Sequence, residues 1–397
     1  MSTLERELPQ EGVALCLSGG GFRATLFHIG AFWRLNEFGY LPKLEMISSV
    51  SGGSISSAWL GTCWKKLDFD KAGVAGNFVE TYVNPLRAFT SKRLDAGIIL
   101  LGIFNPFSSI GQQLIQSYRK SLFGSLTLQD LPDRPRFVIN ASNAQSGVLF
   151  RFSKEYMGDY RIGMVRDPKI ELAVAVAASS AFPPFLSPVK LPHGKSGLRR
   201  STFIAQKGSD LNREPFTSGL VLLDGGVYDN LGLEPIQKKY NTILVSDAGG
   251  KMQPEPKPNF FWGVQAFRVL NMMDNQVRAL RKRNIMDMFT LRDDIAEYLD
   301  AHHGAVDETL LKRVTRKGTY WGTYVDILNY KLDSALDCPS DKTLQLANLP
   351  TRLWTFSKEH QERLINWGYA CCDAAMRKHV DPKLPNNAKF PYPGGVG

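Results

Sequence analysis

The feature that most limits the fold is a short apolar run that meets glycines and then a helix-spaced segment, and it occurs twice near the start. Residues 12–17 (GVALCL) are apolar and run into Ser18-Gly19-Gly20-Gly21. Residues 22–38 then carry Leu26, Ile29, Phe32, Trp33 and Leu35 at helical spacing, and Gly39 suits a helix C-terminal cap. Residues 46–50 form a second apolar run, broken by Ser51-Gly52-Gly53, and a helix follows to about Trp64. Strand, loop, helix, strand, turn and helix in that order begin a parallel α/β sheet, because parallel neighbours need a crossover between them.

Further strand candidates follow in 136–141 (RFVINA) and 147–152 (GVLFRF), which are placed to pair. The alanine-rich stretch 171–180 reads as a helix ended by Pro183-Pro184. Residues 220–223 (LVLL) and 242–245 (TILV) read as buried strands that end in Asp224-Gly225-Gly226 and Asp247-Ala248-Gly249-Gly250. After Lys251 the glycine-ended strands stop, Pro254, Pro256 and Pro258 mark a junction, and 264–291 and 357–379 read as helices. The expected division is a first unit over 10–250 and a mainly helical region over 251–397 packed on it. No internal repeat and no heptad run is evident.

Composition bears on partners. The chain has 397 residues, 43% hydrophobic and 22% charged, which is globular and rich enough for a large core. Its net charge of +10 favours anionic partners without choosing among nucleic acid, nucleotides and acidic lipid headgroups. The five cysteines show neither zinc-ligand spacing nor a C-x-x-C pair, so reduced thiols in a cytosolic protein are expected, with no metal. Residues 1–11 are polar and lack the apolar core of a secretory signal. The longest apolar stretch, 96–104, falls well short of the roughly twenty residues of a spanning helix. A cytoplasmic protein, peripheral at the inner face of the membrane at most, is the expectation.

Three stretches carry chemistry. Glycines between a strand and a helix expose N–H groups at a positive helix end, so Ser18-Gly19-Gly20-Gly21-Phe22-Arg23 suits an anion or a developing oxyanion. A dinucleotide loop competes there, with Ala24 standing for its last glycine, but no acidic residue ends the second strand; a Walker A loop is excluded because no Gly-Lys-Ser/Thr follows. Ser51 sits where a nucleophile elbow would place an exposed hydroxyl, with Gly53 after it and Ser49 where the elbow's first glycine belongs. A serine needs a base, and none of the six histidines follows a strand end; His28, within the first helix, reads as a packing residue. Asp224 and Asp247 both end strands at the sheet edge where open α/β folds build sites, and spacing alone does not choose between them; each also reads as a turn aspartate.

Taken together, Gly19-Gly20-Gly21-Phe22-Arg23, Ser51 in x-S-G-G and Asp224-Gly225-Gly226, in that order, resemble the patatin-like phospholipase family in its bacterial, stand-alone form. So do Phe27-His28-Ile29-Gly30-Ala31, Ala178-Ser179-Ser180-Ala181-Phe182-Pro183-Pro184 and Gly226-Val227-Tyr228-Asp229-Asn230. The resemblance spans about residues 10–250. It implies a three-layer α/β/α fold with a mostly parallel central sheet and a helical C-terminal extension. It implies a lipid acyl hydrolase of phospholipase A or lysophospholipase type that uses a Ser–Asp dyad, no histidine and no cofactor. On that reading Ser51 is the nucleophile, Asp224 the base, and the N–H groups of Gly19, Gly20, Gly21, Phe22 and Arg23 line the oxyanion hole. Ser49 and Ala24 depart from the family's glycines, and altered packing rather than lost chemistry is expected.

The implied partners are a phospholipid or other acyl ester and a membrane surface, not nucleic acid. Residues 96–107 (AGIILLGIFNPF) suit a lid or membrane-touching segment, or else plain core. An excursion over 190–216, basic at Lys190, Lys195, Arg199, Arg200 and Lys207, suits an acidic bilayer. A second reading is an antiphage phospholipase effector switched on by a cyclic nucleotide, with 278–283 (RALRKR) as an anion contact or, more plainly, a solvated helix face. A third is a non-catalytic module that uses the glycine loop as an anion cradle.

Overall fold

The computed structural model describes residues 8–92, 110–184, 186–191, 203–302, 307–353 and 355–397. The segment 96–107 and the basic residues Lys195, Arg199 and Arg200 therefore lie outside the described residues.

The chain alternates as the sequence indicates. Strand β1 (Gln10–Leu17) leads through the glycine loop into α1 (Gly21–Glu37), and β2 (Leu44–Val50) turns at Ser51 into α2 (Gly52–Cys63). Short helices α3 (Asn84–Thr90) and α4 (Ile110–Tyr118) lead to β3 (Arg136–Asn143). Strands β4 (Val148–Phe152), β5 (Tyr156–Asp159) and β6 (Gly163–Arg166) follow, then α5 (Leu172–Ser179), β7 (Val189–Lys190) and β8 (Val221–Asp224). The one-turn helix α6 (Gly226–Asp229) and β9 (Tyr240–Asp247) precede the long helix α7 (Trp262–His302). The chain ends with α8 (Glu308–Val314), β10 (Lys317–Gly322), α9 (Ser340–Ala347) and α10 (Lys358–His379).

The strands join one sheet in the order β10-β9-β1-β2-β3-β4-β5-β6, with β8 on β3 and β7 on β8. The first five in that order are parallel, whereas β4, β5, β6, β7 and β8 pair antiparallel. The sheet is thus mixed, and the expectation of a mostly parallel sheet holds only for that half. The reason is local: β3 to β6 are joined by tight turns, and a tight turn can only return a strand antiparallel. Residues after 251 also give more than helices, because β10 extends the parallel edge beside β9.

Alternation along β1 separates the two faces. Leu15 and Leu17 join a large core with α1, α2, α5 and α10, while Ala14 and Cys16 join a smaller one with Leu231, Ile236 and, from α7, Ile285 and Phe289. Helices α1 and α10 cross backbone to backbone: a Cβ on Gly30 would lie 1.9 Å from the Ile365 carbonyl oxygen, and one on Gly368 1.8 Å from that of Phe27. Beside the crossing, buried Asp373 pairs with Arg34 at 2.7 Å and with Arg377 at 2.6 Å. All five cysteines are buried and free. Among the described residues no helix is long and apolar enough to cross a membrane.

The described part of the excursion after Lys190 is packed in places. Lys190 and Lys207 are exposed, but Phe203 and Leu211 are buried, Ile204 bridges Met164 beside β6, and Asp210 pairs with Arg161 at 2.6 Å.

Candidate active site

Strand pairing brings the two halves of the site together. Val50, the last residue of β2, lies opposite Asn140 of β3, and Asp224, the last of β8, lies opposite Ala141. Since β4 occupies the other edge of β3, β2 and β8 run end to end along the same edge. Ser51 and Asp224 meet at that junction, although β2 and β8 do not follow one another in sequence.

The turn at Ser51 is strained. Its φ of 50° and ψ of −119° are rarely adopted by a residue with a Cβ, and such a conformation costs about 1–3 kcal/mol unless its surroundings hold it. They do. The Ser51 N–H donates to Ser179 Oγ at 2.9 Å, and Ser179 Oγ shares a 2.9 Å bond with Ser54 Oγ. Ser54 and Ser57 in turn donate to Ser49 Oγ at 3.1 and 2.7 Å. Ser49, which stands where the elbow's glycine belongs, is fully buried and tied into this serine chain. The glycines after Ser51 have a steric reason: a Cβ on Gly52 would lie 2.1 Å from the Gly21 carbonyl oxygen, and one on Gly53 2.7 Å from that of Ser18.

The glycine loop is therefore packed directly on the elbow. Gly20 and Gly21 have φ of 141° and 58°, in the range that favours glycine. The N–H of Gly19 donates to the Asn230 carbonyl at 3.1 Å and that of Phe22 to the Arg352 carbonyl at 3.2 Å, so both are already engaged. Gly20 and Gly21 stand at the start of α1, where the helix supplies no acceptor, and both line the pocket that holds Ser51 and Asp224. Arg23 is buried away from it, its guanidinium donating to the carbonyls of Ala347, Leu349 and Ala248. Ala24 is buried in α1 and its N–H closes on the Gly20 carbonyl at 3.2 Å, so an alanine there leaves the helix start regular.

Asp224 and Asp247 have opposite surroundings. The Asp224 carboxyl accepts the Gly226 N–H at 2.7 Å, and the nearby Ser51 hydroxyl also favours its charged form. Burial outweighs both and pushes it up to about 7. Gly225 must be small, because a Cβ there would lie 2.4 Å from the Asn140 carbonyl oxygen. Asp247 lies equally deep, but Arg278 at 3.4 Å, the Tyr320 hydroxyl at 2.7 Å and the Gly249 N–H at 2.8 Å surround it. Burial alone would raise it; those partners hold it below the usual carboxylate range. His28 is likewise structural. Its Nε2 donates to the Ser18 carbonyl at 3.0 Å, which leaves Nδ1 to accept from Ser246 Oγ at 2.9 Å, and burial lowers its pKa to about 4.

The pocket has a volume of about 480 Å³. One wall is Gly20, Gly21, Ser51, Asp224, Gly226 and Asn230; the other is a stripe of α7 that includes Val264, Phe267, Asn271, Asp274 and Asn275. Asp274 is pushed up to about 6 by burial, and its charge helps to raise Asp224. Arg278 and Arg281 of 278–283 are neither a solvated face nor a free anion site, whereas Arg283 is exposed. Arg278 is bound to Asp247 and to the carbonyls of Gly249 and Gly250, and Arg281 to Glu234 at 2.9 Å and Asp229 at 3.6 Å. Sequence reasoning gave no role to Ser179, Asn230, Asn271 or Asp274. Ser179 and Asn230 lay within stretches that carried the resemblance, whereas α7 read as a helix with no signal for its pocket-facing Asn271 and Asp274. Among the described residues no group of His, Cys, Asp and Glu converges as a metal site would.

A strained serine and a buried carboxyl thus share one pocket at the strand ends of a mixed α/β sheet. The patatin-like phospholipase model matches residues 15–236, more than half of the chain, and the chain belongs to that family. Human GIVD cytosolic phospholipase A2 has a similar fold, with a TM-score of 0.50 at 14% identity over 94% of this chain; the match covers 62% of that protein's chain. VipD from Legionella pneumophila gives a TM-score of 0.35 at 16% identity, over 93% of this chain and 67% of VipD. No curated protein sequence matches the chain. Family membership supports lipid hydrolase activity in general.

Proposed function

We propose that the chain hydrolyses fatty acyl esters of phospholipids through Ser51 and Asp224. The observation that carries this reading is that one pocket holds both a serine at φ 50° and a buried carboxyl whose pKa is pushed up to about 7. An aspartate at its ordinary pKa, about 3.9, would be a poor base for a hydroxyl; one near 7 is matched to neutral pH. Ser51 Oγ attacks the ester carbonyl carbon and its proton passes to Asp224. The tetrahedral oxyanion forms against the N–H groups of Gly20 and Gly21, which line the pocket beside Ser51. The ester C–O bond then breaks, and the leaving alcohol takes the proton from Asp224. Water attacks the acyl-enzyme, gives its proton to Asp224, and the fatty acid leaves as Ser51 is reprotonated.

Removing one oxyanion donor of this kind costs about 10²–10³ in rate in serine hydrolases. The mechanism asks nothing of His28, consistent with its use as a packing residue. The test is mass spectrometry of the products from mixed phospholipids, wild type beside Ser51→Ala. Free fatty acid and lysophospholipid released by wild type alone support the reading; equal release by both, or release by neither, contradicts it.

A further inference from the structure

The outward face of α7 has no explanation within the fold. Its inward face lines the pocket as far as Asp274 and Asn275, and its only buried residues are Ile285 and Phe289 farther along. On the opposite side Trp262, Val269, Leu270, Met273, Val277 and Leu280 are all exposed. At 100° per residue they fall within one stripe, about 27 Å long at the rise of a helix. Phe260 and Phe261 extend its first end, and Phe260 is 93% exposed and Trp262 75%. Along the half of α7 that walls the pocket the stripe is continuous; farther on, the same face carries exposed Asn284 and Asp287 between Leu280 and the exposed Leu291 and Tyr298.

We infer that this stripe, with the aromatic cluster Phe260-Phe261-Trp262 at its tip, is a docking surface for an anionic lipid bilayer that sets the pocket mouth against the membrane. The inference rests on the proposed reading for the identity of what enters the pocket, but not for the docking itself. Three observations favour a bilayer. Aromatic side chains grouped at one end of an amphipathic helix are the anchors expected at a lipid headgroup boundary. Exposed Lys257 and Arg283 flank the stripe at its two ends, complementary to anionic headgroups, whereas Arg268, Arg278 and Arg281 are held by acidic partners. The stripe's borders, Met272 and Ala279 on one side and Leu270 and Val277 on the other, are uncharged, so they lack the charge pairs that fix register between two helices of a coiled coil. Continuity with the pocket gives the docking a purpose: Val264 and Phe267, on the same helix, line the pocket that holds Ser51.

The test uses the full chain, vesicles of phosphatidylcholine alone or with one quarter phosphatidylglycerol, and two surface variants, Phe260→Ser/Phe261→Ser/Trp262→Ser and Val269→Glu/Met273→Glu. Wild type binds the anionic vesicles more tightly and loses binding as salt rises. Each variant weakens binding by about tenfold or more and lowers hydrolysis of vesicle lipid in proportion, with hydrolysis of a soluble short-chain ester unchanged. If wild type cleaves neither ester yet the variants still lose vesicle binding, the docking surface stands and the hydrolase reading falls. Variants that bind vesicles as wild type does overturn the inference. So does light scattering that shows a wild-type dimer split by these substitutions with vesicle binding intact, which would make the stripe an interface between copies of the chain.

Discussion

Asp224 and Asp247 end two buried strands, each followed by a glycine-containing turn, and they lie equally deep at the same end of one sheet. Asp247 is enclosed by a guanidinium, a phenol and a backbone N–H, so it is a settled anion. Asp224 has a serine hydroxyl and one backbone N–H but no cation, so burial dominates and its proton is held to about 7. Two strand ends of similar local sequence thus become a structural anchor and a candidate base. The difference lies in what α7 and β10 bring: Arg278 and Tyr320 reach Asp247 and leave Asp224 alone.

The sharpest break in this pairing is activity. Asp224→Asn, like Ser51→Ala, lowers the rate of ester hydrolysis by about 10⁴-fold or more. Asp247→Asn leaves the folded protein's rate within a few-fold. Steady-state kinetics on a soluble ester, normalised to folded protein, separates the two sites.

Stability should run the other way. Arg278→Met strands the Asp247 anion and costs about 3–5 kcal/mol, read by urea denaturation at pH 7. Because the folded pKa of Asp247 is depressed, its contribution is complete at neutral pH and is lost as pH falls below the usual carboxylate range. Asp224 carries the opposite sign. Its folded pKa is raised, so the stability it contributes is present in acid, below the unfolded value near 3.8, and is lost as pH rises toward 7. At pH 8 Asp224→Asn therefore gains about 1–3 kcal/mol in the same titration.

How far these contrasts could be read from the sequence depends on the range of the interaction. The glycine loop, the Ser51 turn and the strand before Asp224 are local patterns, and each appears where its apolar run and glycines put it. The choice of Asp224 over Asp247 came from the family resemblance, because the partners that distinguish them sit far along the chain. The same holds for β10, whose place beside β9 no local pattern signals, and for the pocket wall of α7. Ser49 illustrates the opposite case: a departure from the glycine pattern that is absorbed by Ser54 and Ser57, one and two turns along α2.

Smaller effects refine the Ser51 side of the comparison. Ser179→Ala removes the acceptor of the Ser51 N–H and loosens the strained turn, costing about 1–3 kcal/mol in denaturant midpoint experiments and lowering kcat more than it changes KM. Asp274→Asn removes a negative charge beside Asp224. It shifts the acid limb of the kcat/KM profile to lower pH by less than about one unit, with little effect on the plateau rate.

The most direct test follows covalent labelling of Ser51 by a fluorophosphonate ester from pH 5 to pH 9, with the site read by peptide mass spectrometry. The labelling rate of wild type should rise with a midpoint near 7, Asp247→Asn should keep that profile, and Asp224→Asn should label at a rate close to zero throughout. Labelling of Asp224→Asn at the wild-type rate, or a wild-type profile flat across this range, would contradict a Ser51–Asp224 dyad.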